Sequence, residues 1–63
     1  MFEEYNDIVT VKELCQMLKI GRNTAYKLVH SGQFKYILIQ KQIRILKSSV
    51  IDFVRKVYGD YFD

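Results

Sequence analysis

A chain of 63 residues, 49% hydrophobic, suffices for one small domain whose core supplies only roughly 3 to 5 kcal/mol, which excludes a large enclosed active-site cavity. Its one Cys, Cys15, excludes an internal disulfide, and with a single His, His30, it cannot complete a four-ligand zinc site. The net charge of +3 conceals an uneven distribution: seven cations (Lys19, Arg22, Lys27, Lys35, Lys41, Arg44 and Lys47) stand in a stretch without Asp or Glu, and the seven acids all lie in the flanks.

Residues 1–9, with Glu3, Glu4 and Asp7, read as a flexible acidic N-terminus. A capping box follows in Thr10-Val11-Lys12-Glu13, where the Thr hydroxyl and the Glu carboxylate satisfy each other's backbone N–H groups at a helix start. The helix begins at Val11, and Val11, Leu14, Cys15 and Leu18 follow the i, i+3, i+4, i+7 spacing of one buried stripe. Cys15 on that stripe reads as a small buried hydrophobe rather than a reactive thiol. Lys19-Ile20-Gly21 interrupts the pattern, with Gly21 expected as turn residue or N-cap.

A second helix is expected from Arg22 to about Ser31, with Ala25, Leu28 and Val29 inward and Arg22, Asn23, Tyr26, Lys27 and His30 outward. Gly32 is placed to end it in the left-handed conformation. Two short helices joined by a tight turn, the second with a cationic and amide-bearing outer face, fit a helix-turn-helix.

From Phe34 to Leu46 the period switches to two. A three-residue loop Gln40-Lys41-Gln42 sets Ile39 opposite Ile43 and Ile37 opposite Ile45, so that all four isoleucines share a face, with Tyr36, Leu38 and Arg44 on the other and Lys41 at the tip. Ser48 is expected to cap a third helix reaching about Tyr58, with Val50, Ile51, Val54 and Val57 inward and Gly59 as its stop. Residues 59–63 then form a tail. The expected architecture is mostly α with a small β-hairpin, in the order helix, helix, hairpin, helix, over residues 10–58.

Thr10-Val11, Glu13-Leu14, Leu18, Arg22, Thr24, Tyr26-Lys27-Leu28-Val29, Gly32, Ile39, Ile43-Arg44-Ile45 and Lys47-Ser48, taken in this order, resemble the excisionase-type winged helix-turn-helix family, a relative of the mercury-resistance-regulator DNA-binding domain. The resemblance spans Thr10 to Phe53. It implies that the second helix enters a major groove and that the wing reaches the adjacent minor groove or backbone. Carried over by residue, Arg22, Asn23, Thr24, Tyr26 and Lys27 become base or phosphate contacts, and Lys41 and Arg44 become wing contacts. The chain departs from the family's pattern at Gly21, where a capping Ser is usual, at Gln40, where the wing usually has Gly, and at Leu38, a position often basic.

The functional expectation is a DNA-binding accessory protein of a mobile element or phage, acting on duplex DNA as an architectural factor in recombination or excision. Arg and Asn at the helix start have the chemistry to read guanine and adenine edges, while Tyr26 and Lys27 suit phosphates. The alternatives keep the fold: an accessory subunit of a replication enzyme (polymerase, primase or helicase partner) that aids single-stranded DNA binding, or a small transcriptional repressor. Tyr36 and Leu38 on the wing, with Tyr61 and Phe62 in the tail, offer apolar surface for a recombinase or replication-enzyme partner or for self-association on DNA. With no Gly-rich phosphate loop, no metal-ligand cluster and no activated nucleophile at motif spacing, neither catalysis nor a cofactor is expected. No apolar run approaches the ~20 residues that span a bilayer. The polar, acidic start lacks the pattern of a signal peptide, so a cytoplasmic location is expected.

Overall fold

Thr10 and Glu13 close the expected capping box. Glu13 N–H donates to Thr10 Oγ1 at 3.1 Å, and Thr10 N–H donates to Glu13 Oε1 at 3.0 Å. In the computed structural model, which describes the backbone of residues 1–62 and the side chains of residues 1–57, this box starts the first of three helices. The elements run β1 (Ile8–Val9), α1 (Val11–Leu18), α2 (Arg22–His30), β2 (Tyr36–Ile39), β3 (Gln42–Leu46) and α3 (Lys47–Phe62). The expected order of helix, helix, hairpin and helix holds, and the molecule is a mostly helical winged helix-turn-helix.

Val11, Leu14 and Met17 form the buried stripe of α1, with Cys15 and Leu18 half-buried. Ala25 and Val29 of α2, Phe34, Ile45 of β3, and Val50 and Val54 of α3 close the core over them. Phe34 meets Phe53 edge to face at 4.9 Å between ring centroids, an arrangement that adds to simple area burial. Leu14, Ile45, Val9, Val29 and Val50 are the largest fully buried side chains, each contributing roughly 1.5 to 3 kcal/mol by leaving water.

Gly21 is the N-cap of α2, one of the two roles expected of it, with φ −77°. The left-handed residue of the turn is Lys19, at φ 54°, and Ile20 N–H donates to Cys15 O at 3.0 Å. Gly32 does adopt the left-handed conformation expected of it, at φ 84°.

The wing overturns the three-residue loop. Ile39 pairs with Gln42, Leu38 with Ile43, Ile37 with Arg44 and Tyr36 with Ile45, so the loop is Gln40-Lys41 alone, with both residues at positive φ (50° and 67°). Such a turn has the twist of the strands it joins. Ile37 and Ile39 therefore share the outer face with Arg44 and Gln42, while Tyr36 and Leu38 share the core-side face with Ile43 and Ile45. Four isoleucines on one face would each need cover. The core, however, ends beneath Ile43 and Ile45, and β2 beyond it is exposed on both faces.

Further expectations fail at both ends. Residues 8 and 9, inside the segment read as a flexible arm, form a third strand: Val9 pairs with Ile45 and Ile8 with Leu46, giving the order β1-β3-β2. Met1, Phe2 and Tyr5 pack against the core. At the other end, α3 starts at Lys47 without waiting for Ser48 and runs through Gly59 to Phe62, since one Gly costs a helix only about 1 kcal/mol. Val57, expected inward, is 53% exposed because α3 projects past the core there.

Candidate nucleic-acid interface

α2 turns Ala25 and Val29 into the core and leaves Arg22, Asn23, Thr24, Tyr26, Lys27 and His30 exposed. Helical spacing dictates this division, because the buried pair stands four residues apart on one face. Gly21 provides no side-chain acceptor to the first turn of α2, so its N–H groups remain available to an outside anion. Tyr26 stacks on His30 at 6.3 Å with the rings 18° from parallel. The contact holds the phenol along the helix surface.

A cleft of about 440 Å³ separates this surface from the wing, lined by Thr10, Val11, Lys12, Tyr26, Lys41, Gln42, Ile43 and Arg44. It brings together three of the residues singled out from the sequence, Tyr26, Lys41 and Arg44, from two elements distant in the chain. Arg22, Asn23, Thr24 and Lys27 lie outside it on the exposed face of α2. The Arg44 guanidinium donates to Gln42 Oε1 at 2.6 Å and to Ile43 O at 3.2 Å, both within the wing, so neither bond neutralises its charge.

Lys12 joins the cleft although its place in the acidic N-terminal flank hid it from the sequence reading. β1 pairs with β3 and delivers the chain directly into α1, which sets the start of that helix beside the wing. One signal was legible. A cation in the first turn of a helix opposes the helix dipole, so Lys12 stands where Asp or Glu is the more stabilising choice.

Among the described residues, none of the cations from Lys19 to Lys47 forms an ion pair with a carboxylate. Lys47 is nonetheless engaged, its Nζ donating to Tyr5 O at 3.0 Å and to Phe2 O at 3.5 Å. The remaining cations keep uncompensated charge in solvent, the arrangement that neutralises phosphates and releases their counterions.

Of the residues assigned to protein partners, Tyr36 and Leu38 are exposed. The side chains of Tyr61 and Phe62 lie outside the described residues. Among the described residues no helix is long and apolar enough to cross a membrane.

The profile of a helix-turn-helix domain matches residues 8–58, from β1 into the second half of α3. Two Mycobacterium tuberculosis proteins, Rv0500A and MT0521, both carrying a provisional DNA-binding name, are each 26% identical over 53 residues, which is 84% of this chain and 68% of theirs. No solved structure matches the chain. With most of its length covered by the profile, the chain belongs to the helix-turn-helix domain family, a family of DNA-binding domains.

Proposed function

We propose that this small DNA-binding helix-turn-helix protein grips duplex DNA between α2 and the wing and serves a mobile genetic element as an architectural accessory to recombination or excision. The observation that carries the reading is the cleft in which Tyr26 of α2, Lys12 of α1 and Lys41 and Arg44 of the wing meet. In this reading α2 enters the major groove by its N-terminal end, where Arg22 and Asn23 read base edges with Thr24 beside them. Tyr26 and Lys27 hold phosphates, and Lys41 and Arg44 follow the adjacent minor groove or its backbone. The DNA-binding names of the two mycobacterial relatives support the first half of the proposal; the excisionase resemblance supports the second.

The test is binding of the whole chain to labelled duplexes carrying repeated sites, with DNA bending read by energy transfer, repeated with a mobile-element recombinase. Bending and recombinase recruitment are expected. Failure to bind any duplex at low salt would overturn the proposal.

A second reading, an accessory subunit that carries a replication enzyme to single-stranded DNA, is favoured by the exposure of Leu38 (64%) on the wing. Tighter binding to single strands than to duplex, seen only with the polymerase or helicase present, would select it.

A further inference from the structure

The order β1-β3-β2 leaves β2 at the edge of the sheet, with no strand on its outer side among the described residues. Natural edges are blunted by Lys, Pro or bulges. β2 has none of these between Tyr36 and Ile39: all four residues are apolar and all four are exposed, Ile37 at 50%, Leu38 at 64% and Ile39 at 49%. Leu46 N–H donates to Lys35 O, and in an antiparallel ladder the inward-facing backbone groups alternate. Ile37 and Ile39 thus direct their backbone groups to β3, and Tyr36 and Leu38 direct theirs to the open side.

The edge ends in charge. Lys35 precedes β2 and Lys41 follows its last residue by two positions, both exposed. A second copy docked edge to edge and centred on Leu38 would set Lys35 of each copy opposite Lys41 of the other, a doubled like-charge contact that opposes pairing. Along these four residues a phosphate backbone meets no cation and only one side-chain donor, the Tyr36 hydroxyl. An extended apolar segment with an acid at each end satisfies both the backbone and the two lysines.

We propose that the open edge of β2 captures, by strand addition, an extended apolar segment of a partner protein flanked by acidic residues. Main-chain bonds to Tyr36 and Leu38 supply the register. Apolar side chains of the added strand pack beside Ile37 and Ile39 on one face and beside Tyr36 and Leu38 on the other, as in other edge-binding modes. The proposal is independent of the DNA reading.

The experiment is an NMR titration of the full chain with two synthetic heptapeptides, Glu-Val-Ile-Val-Thr-Val-Glu and the same core flanked by Lys, following amide exchange along β2. The Glu-flanked peptide is expected to slow exchange at Tyr36 and Leu38, leave Ile37 and Ile39 at their already protected rates, and bind about tenfold tighter than the Lys-flanked one. Leu38→Pro removes the outward N–H, which an edge strand tolerates, and should abolish binding while the helices keep their exchange protection. Lys35→Glu should erase the wild-type preference between the peptides, and Lys35→Glu with Lys41→Glu should invert it, without touching the strand. Lack of peptide-induced protection at millimolar concentration overturns the proposal, as does equal binding of both peptides. Protection of Tyr36 and Leu38 in the protein alone that grows with its concentration, with a dimer in sedimentation, overturns it in favour of self-pairing.

Discussion

The Lys47 ammonium group donates to the carbonyl oxygen of Tyr5 at 3.0 Å, so one cation of the acid-free stretch fastens the N-terminal segment instead of facing solvent. The Lys47 N–H also donates to Asp7 O at 2.8 Å, and β1 pairs with the end of β3 beside it. Lys47 is thus a structural tie between the N-terminal segment and the junction of β3 and α3. Lys47→Ala is expected to lower stability by about 1 to 2 kcal/mol through loss of charge-assisted bonds, measured by urea unfolding. The salt dependence of DNA binding should stay at the wild-type slope, and a shallower slope would return Lys47 to the interface.

With Lys47 set aside, the cations best placed for phosphates are Lys12, Lys27, Lys41 and Arg44, with Tyr26 as a neutral donor. If these four neutralise one phosphate each, the plot of log affinity against log salt should have a slope of about −3.6 on duplex DNA. Titration from 50 to 300 mM salt checks the number. Lys12→Gln should flatten it by about 0.9, a result that the sequence reading, which left Lys12 in the acidic flank, would not give.

Base reading and positioning separate on α2. Arg22 stands at the first position of the helix and Lys27 in its second turn, both exposed. Lys27→Ala is expected to weaken every duplex alike, whereas Arg22→Ala should cost about 1 to 3 kcal/mol at the preferred site and relax selectivity at one base pair. Binding to a panel of single-base variants decides the matter. A uniform loss with both substitutions would remove Arg22 as the reader.

The helices were legible because their signals are local. Thr10 and Glu13 announce the start of α1 three residues apart, the apolar spacing in α1 and α2 fixes which faces turn inward, and Gly32 marks the one glycine at positive φ. The wing was legible as a hairpin but not in register. Parity counts faces without knowing how far the core extends, and only Ile43 and Ile45 of the four isoleucines have anything to pack on. β1 was hidden for a related reason, since two residues carry no period and the strand exists only because Val9 finds Ile45. Lys12 was missed in the site because its neighbours in space come from the wing, some thirty residues away along the chain.

Lys41 holds a position that its conformation disfavours. It is the second residue of a two-residue turn at φ 67°, next to Gln40 at φ 50°, and such turns prefer Asn-Gly because a side chain at positive φ is strained. Keeping a long cation there makes sense if its charge acts on a partner at the tip of the wing. Lys41→Gly is therefore expected to stabilise the fold by about 0.5 to 1 kcal/mol while weakening duplex binding and flattening the salt slope by about 0.9. Thermal unfolding and salt titration of the same preparation test both halves. Lower stability would show that Lys41 makes a contact holding the turn, and unchanged binding would show that the wing tip stands clear of DNA. Gln40→Asn is the control: it relieves strain at the adjacent position without removing charge, and should raise stability while leaving affinity and slope as they were.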